Sequence, residues 1–589
     1  MLRKLTVAVE GCCHGELDNI YSQLLSRQKQ LNKKVDLLII CGDFQAIRNV
    51  TDLTCMSCPD KYKQIGGFYR YYTGERKAPM PTVFVGGNHE ASNHLRELYY
   101  GGWVAPNIYY MGGSGVVRFG GLRIGGISGI YKDFDYAKGY YERPPFRGHS
   151  RASMHHVRSY EVFKMLQLRT PLDIVVSHDW PQYIERHGNT HDLLQKKPFF
   201  RAEVARGDLG SPPNAMLLGR LRPAWWVSAH LHVRFTATVH SHDTIYDGGW
   251  DGIAPYNQQA TGHAQRPGSE HVAPQGAAAA EAPGVLNVDE IVIESLSDSE
   301  SEAGDPASSE PRQETDEVVT FADPTANEGS RPRLALVLPP PKHAAPAAAA
   351  GPVLADDEAV EPSAPLRQPT PAESADTTTG ALASDPCVPG RATSFLALDK
   401  CLPRRQFLEL FDIEVPAHAD DGELRLEYDP EWLAILRLCH PHMPLDEAHF
   451  CPPPETAAAL HERKMPLFAD AQLDRELDWV RANVFAGGRV FVPPNFVPVA
   501  PAPPPGTPDT ATFGLARGWG QGSRGRGQGG DRGRGGAHGR GRGGGHAQAR
   551  QSDDMPWPGL RPDVVYPNTQ TEVFCSMLGL DDQLTQRRH

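Results

Sequence analysis

Five short stretches of this chain each place His, Asp, Asn or Cys at the end of an apolar run. They are Cys12-x-His14 after Leu5–Val9, Gly42-Asp43 after Val35–Cys41, Gly87-Asn88-His89 after Val83–Val85, His178 after Asp173–Ser177, and His230-x-His232 after Trp225–Ala229. Together they offer imidazole nitrogens, a carboxylate, an amide oxygen and a thiol. Two divalent metals held side by side need seven or eight N, O or S ligands, with one carboxylate shared between them. A lone HxH or GD pair occurs by chance, and five unrelated turns with satisfied polar side chains is the bland reading. Five such stretches, each closing an apolar run, fit a metal centre better. His89 adds an imidazole that titrates near neutral pH beside the Asn88 amide.

Groups so far apart in the chain meet only if the elements carrying them share one edge. The apolar runs read as buried strands, and Glu16–Leu31 has helical spacing through Leu17, Ile20, Tyr21, Leu24 and Leu25. Strand, helix and strand in alternation predict a parallel α/β core. Ligands of such sheets sit at the carboxyl ends of the strands, where all five stretches fall. Val116–Phe119 and Leu122–Ile127 predict a hairpin across Gly120-Gly121.

The composition divides the chain. Residues 1–240 hold 31 Lys and Arg against 20 Asp and Glu, a net of +11, which leaves −23 for the remainder. A basic half suits a polyanionic partner. Ten cysteines in 589 residues, with no regular framework, predict reduced thiols rather than disulfides. No apolar run reaches the roughly 18 residues of a membrane helix, so no membrane partner is expected. From Ser128 to Tyr160 the chain is rich in Tyr, Arg and Lys and has too few aliphatics for a core element. Such side chains stack on bases and neutralise phosphates. Residues 241–393 turn to Ala, Pro, Ser and acidic residues and read as a disordered insertion. Order returns in the strand-like 394–415, which would complete the sheet of 1–240. Residues 416–500 carry helical signals and read as a C-terminal accessory domain, and 501–589 as a disordered tail. That tail has seven Arg-Gly pairs between Arg517 and Gly543.

The Gly-Asp, Gly-Asn-His-Glu, lone His and His-x-His series resembles the calcineurin-like metallophosphoesterase family, which implies an α/β fold: a two-sheet β-sandwich flanked by helices. Cys12 stands where that family has its first Asp, and Ala229 replaces a Gly. The cysteine is characteristic of the RNA lariat debranching enzymes. Further runs resemble that group: Val9–Asp18, Gly129–Lys132, Tyr141–Pro145, Pro223–Trp226 and Phe395–Pro403. The resemblance implies one metal site of Asp43, Asn88, His178 and His230, and another of Cys12, His14, Asp43 and His232, with Asp43 bridging. One or two divalent ions are implied, Fe²⁺, Zn²⁺ or Mn²⁺, since a thiolate favours softer metals than Mg²⁺. The implied reaction is hydrolysis of the 2′–5′ phosphodiester at the branch point of excised intron lariat RNA, which linearises it for turnover. A metal-activated hydroxide attacks phosphorus, and His89 protonates the departing 2′ oxygen. The 128–160 stretch resembles the family's lariat-recognition loop, with Tyr131, Lys132, Tyr141, Arg143 and Arg147 as candidate RNA contacts.

Two other functions stay in view: another enzyme of the same fold, such as a protein phosphatase or nucleotide phosphodiesterase, and a non-catalytic RNA-binding scaffold. Cys12 and the basic aromatic stretch argue against the first, and the intact ligand set with His89 against the second. Cys55-x-x-Cys58 supplies only half of a structural zinc site and reads as ordinary loop cysteines. Asp289–Glu294 resembles a SUMO-interaction motif, and the Arg-Gly tract an RNA-binding tail. SUMO-type or spliceosome-associated contacts through these segments, and a nuclear location, are further expectations.

Overall fold

The computed structural model describes residues 2–144, 146, 148–253, 391–416, 424–511 and 565–585. Arg147, the Asp289–Glu294 motif, the Arg-Gly tract and all but the ends of the 241–393 insertion lie outside the described residues. Thirteen strands among the described residues form two sheets. In chain order they are β1 (Leu2–Glu10), β2 (Leu37–Ile40), β3 (Thr82–Phe84), β4 (Gly102–Ala105), β5 (Ile108–Tyr110), β6 (Ser114–Phe119), β7 (Leu122–Ile127), β8 (Ile174–Ser177), β9 (Trp225–Ser228), β10 (Phe235–Val239), β11 (Thr393–Ala397), β12 (Leu408–Pro416) and β13 (Leu426–Tyr428). One sheet runs β12-β1-β2-β3-β5-β4 and the other β10-β11-β9-β8-β7-β6-β13. Trp225 of β9 stacks on Phe411 of β12 with ring centres 4.8 Å apart, so the sheets meet face to face. This is the two-sheet α/β sandwich that the sequence predicts.

β1, β2, β3 and β5 are parallel, as are β7, β8, β9 and β11. Their central residues are buried on both faces, which is why they read as continuous apolar runs rather than alternating ones. The helix Leu17–Leu31 covers the first sheet. Its buried stripe of Leu17, Ile20, Tyr21 and Leu24 packs with Ala8, Leu38 and Ile40, and each fully buried aliphatic contributes about 1.5–3 kcal/mol. The helices Ser159–Leu166, Pro212–Leu221 and Pro430–Cys439 cover the second sheet within one core that includes Val175, Trp226 and Phe395.

Residues from beyond 390 close both sheets. β11 lies between β9 and β10, parallel to the first and antiparallel to the second. β12 runs antiparallel to β1 from Leu2↔Pro416 to Glu10↔Leu408. The described helical residues after 424 pack into the core of the second sheet. Trp432, Leu436, Leu473 and Val480 bury into the same cluster as Tyr160 and Phe163. The buried Arg123 of β7 binds Asp429 at 2.8 Å and Glu431 at 2.7 Å, and Asp429 also caps the helix Pro430–Cys439 by accepting from the Trp432 N–H.

Two expectations need correction. Part of the tail is built: residues 501–511 lie against 49–72, through Asn49 to the Pro501 carbonyl and the Tyr69 hydroxyl to the Thr507 carbonyl. The helix Thr569–Leu578 buries Phe574, Cys575 and Leu578 between an Asn568 N-cap and a left-handed Gly579. The low-complexity run before it hid this short amphipathic signal. The stretch 128–160 also contributes to the interior. Tyr136, Phe146, Val157 and Tyr160 are buried, and polar pairs replace the missing aliphatics: Arg158 with Glu142, and His156 with Asp135 at 2.7 Å.

Candidate metal centre

Each predicted ligand stands on a loop just past a strand, and the loop backbone is bent to hold it there. His14, Asp43, His230 and His232 all have positive φ, between 44° and 62°. That region is unfavourable for side-chain-bearing residues and tends to cluster at functional sites. Gly42 has φ +112°, and a Cβ there would come within 2.3 Å of the His178 ring. A Cβ at Gly87 would lie 2.2 Å from the Asp43 carboxylate. Both glycines are required so that Asp43 and His178 can approach each other.

Asp43 is the hinge of the arrangement. One carboxylate oxygen lies 3.3 Å from His178 Nε2, and the other lies 3.5 Å from His14 Nε2. The first oxygen also accepts the His89 backbone N–H at 2.9 Å. On one side of it, His178 Nε2 is 3.1 Å from the Asn88 side-chain oxygen, and His230 stands next to it with ring centres 5.0 Å apart. On the other, His14 Nε2 is 3.2 Å from His232 Nε2. Cys12, His14, Asp43 and His232 each aim a ligand atom into a space where all four lie within 4.8 Å of one another. No other such group occurs among the described residues, and the Cys55/Cys58 pair forms none.

The electrostatics suit a cation. Burial alone would raise the Asp43 carboxyl, but the His178, His89 and His14 imidazoles hold it well below the ordinary range. Burial pushes His14 down to about 4 and His230 and His232 well below their ordinary value, against the pull of Asp43. His178 Nδ1 donates to the Cys41 carbonyl at 2.8 Å. That bond fixes the ring so that its Nε2 faces the Asn88 oxygen and Asp43. Imidazole nitrogens, an amide oxygen and a carboxylate converging in a buried place fit a divalent metal. Burial first, then the charges of Asp43 and Glu10, push the Cys12 thiol well up, while the His230 N–H opposes them by donating to Cys12 Sγ at 3.2 Å.

His89 faces this centre without joining either ligand set. Its Nε2 is 3.1 Å from the Asn88 side-chain nitrogen, and its ring centre is 5.7 Å from that of His14. Sequence reasoning did not assign a role to Glu90. This buried carboxyl accepts the Phe44, Gly87 and Gln45 N–H groups at 2.7, 2.9 and 2.8 Å. It joins the Asp43 loop to the Asn88-His89 loop. Burial and the Asp43 charge push it up to about 8, with those three N–H groups opposing. Its position after Asn88-His89 was the available signal.

The proposed RNA contacts are less open than the sequence implied. The Tyr131 hydroxyl donates to the Ile253 carbonyl at 3.3 Å, and its N–H to Asp179 at 3.2 Å. Tyr141 lies partly buried, with the Lys138 and Arg158 cations each 5.5 Å from its ring. Arg143 donates to the Tyr140, Glu142 and Leu445 carbonyls. Lys132 is partly exposed and close enough to influence His230 and Asp179.

The calcineurin-like phosphoesterase family model matches residues 5–234, and the lariat debranching enzyme C-terminal domain matches 390–513. The lariat debranching enzyme of Schizosaccharomyces pombe is 38% identical over 499 residues, covering 84% of this chain and 90% of that protein. Lariat debranching enzyme A of Xenopus laevis is 57% identical over 241 residues, 41% of this chain and 45% of that protein. The lariat debranching enzyme of Homo sapiens is 58% identical over 235 residues, 40% of this chain and 43% of that protein. In these two vertebrate alignments the chain spans under half the length of its relative.

Proposed function

The chain belongs to the lariat debranching enzyme family, and on that footing we propose that it hydrolyses the 2′–5′ phosphodiester at the branch point of excised intron lariat RNA. The observation that supports this most is the pair of facing donor sets on Asp43, one of which includes the thiol of Cys12. Asp43, Asn88, His178 and His230 would hold one divalent metal, and Cys12, His14, Asp43 and His232 a second. Fe²⁺, Zn²⁺ and Mn²⁺ are the metals this donor set favours. When bound, such metals supply Lewis acidity and an activated water for phosphodiester hydrolysis.

The remaining work falls to the chain. Glu90 fixes the two loops, so that Asp43 and Asn88 keep their directions. His89, held by its backbone bond to Asp43 and by the Asn88 amide, is the group that gives a proton to the departing 2′ oxygen. Lys132 borders the same centre and would face the branch nucleotide. The nucleus, where the substrate arises, is the expected location.

The test is to incubate the full chain with Fe²⁺, Zn²⁺ or Mn²⁺ against a branched RNA and its linear 3′–5′ counterpart. Cleavage of the branched molecule alone, at the 2′ linkage, is the expected result. Equal cleavage of both, or of neither, would overturn the reading.

A further inference from the structure

Beside the Cys12 face of the metal centre lies a group of charges that the proposed reaction leaves unused. The loop between β11 and β12 is stitched to the Cys12 loop. The Cys12 N–H donates to the Asp399 carbonyl and the Cys401 N–H to the Cys12 carbonyl, both at 3.3 Å, and Lys400 pairs with Cys12 in a parallel β-bridge. Arg405 reaches Asp399 at 3.6 Å. Lys197, just past the helix Thr190–Lys196, is only 7% exposed and forms no ion pair among the described residues. Burial pushes its ammonium down, Asp399 opposes this, and Arg405 and Lys400 add to it. Lys400 also bears on His14 and His232. Lys197, Lys400 and Arg405 thus gather around the Asp399 carboxylate next to the reacting centre. Phe199 stands at their edge, 48% exposed, with the Lys197 ammonium 5.8 Å from its ring centre. A cationic track with an exposed aromatic face is the chemistry that holds a single nucleic-acid strand, phosphates on the cations and a base on the ring.

We propose that Lys400 and Arg405, with Phe199 as a stacking platform and the buried Lys197 ammonium beneath them adding its field, form a binding site for one single-stranded arm of the branched RNA. This deepens the debranching reading and rests on it. Three strands leave a branch nucleotide. Lys132 borders the centre on the His230 side, whereas this patch borders it on the side of Cys12, His14 and His232. A branched substrate has arms for both sides at once, and a linear one has fewer.

The experiment uses the full chain loaded with Mn²⁺ and branched RNAs whose three arms are full length or trimmed singly to one nucleotide. The variants are Phe199→Ala, which removes an exposed ring, and Lys197→Ala/Arg405→Ala. Each variant is expected to raise KM about tenfold with metal content retained. The double variant should also flatten the salt dependence of kcat/KM by about 0.7 in log–log slope per lost phosphate contact. Trimming one particular arm should cost the wild type a similar amount and cost the variants nothing further. An unchanged KM for Phe199→Ala, or a loss in the variants that is the same for every trimmed substrate, overturns the inference while leaving debranching intact. A wild-type chain that cleaves no branched RNA overturns both.

Discussion

Cys12 Sγ accepts the backbone N–H of His230 at 3.2 Å, so the thiol of one donor set supports the loop of a residue in the other. The two sets are therefore mechanically coupled. Cys12→Ser keeps an acceptor but removes the soft ligand. It should lower Zn²⁺ affinity by on the order of tenfold or more and affect Mn²⁺ less. Cys12→Ala removes both roles and should also disturb the His230 side. Metal content after dialysis against a graded chelator separates these outcomes, and identical retention in all three proteins would remove Cys12 from the ligand set.

His89→Ala should lower turnover of branched RNA by about 10²- to 10⁴-fold, the usual contribution of a positioned general acid. Its Asp43 contact is made by the backbone and survives the substitution, so metal and RNA binding should hold. Parallel loss of metal would mean that the ring is structural.

Glu90→Ala leaves three buried N–H groups without their acceptor, at a cost of about 1–3 kcal/mol for each one that stays unsatisfied. Lower thermal stability and lower metal content are both expected, because the same carboxylate holds the Asp43 and Asn88-His89 loops. Calorimetry alongside metal analysis checks this. Full metal occupancy in a destabilised variant would limit Glu90 to stability alone.

Arg123→Ala removes the buried cation that joins Asp429 to Glu431, leaving Asp429 with Arg118 and the Trp432 N–H and Glu431 with Arg169 and the Thr170 N–H. Because these partners remain, the loss should stay below the about 3–5 kcal/mol of a buried pair left uncompensated. Urea unfolding should show that loss as a single transition, since the helices after 424 share the core of the sheet. A separate early transition would show that they fold independently.

Asp135 is fully buried. Burial alone would raise its carboxyl, but hydrogen bonds from His156, Lys138 and His149, with the charge of Arg158, hold it well below the usual range. A depressed carboxyl stabilises the fold above its unfolded value of about 4 and loses that contribution as pH falls. Asp135→Asn should therefore lower the melting temperature at pH 7, and the gap to wild type should narrow as pH falls below about 4. A gap independent of pH would assign the effect to packing.

The strands and the ligand loops were legible because each buried strand is a short apolar run with its polar group directly after it. Cys12, Asp43 and His230 could be placed on that pattern alone. Glu90 was not recognisable as a strut, since its partners are backbone N–H groups, which leave no mark in a sequence. The burial of 128–160 was hidden for a related reason. Arg158, Glu142, Asp135 and His156 look like a solvated surface until they are seen paired with one another. The Thr569–Leu578 helix shows its meaning only against the β4 edge, where Gln570 bonds both the N–H and the carbonyl of Trp103.

The placement of β11 and β12 has a consequence for synthesis. A ribosome that has produced the first 240 residues has made every imidazole of the centre. The emerging chain still lacks the strand that belongs between β9 and β10 and the strand that pairs with β1. Open strand edges invite pairing with other chains. The nascent protein must carry them until the segment up to Pro416 has been translated and has left the exit tunnel.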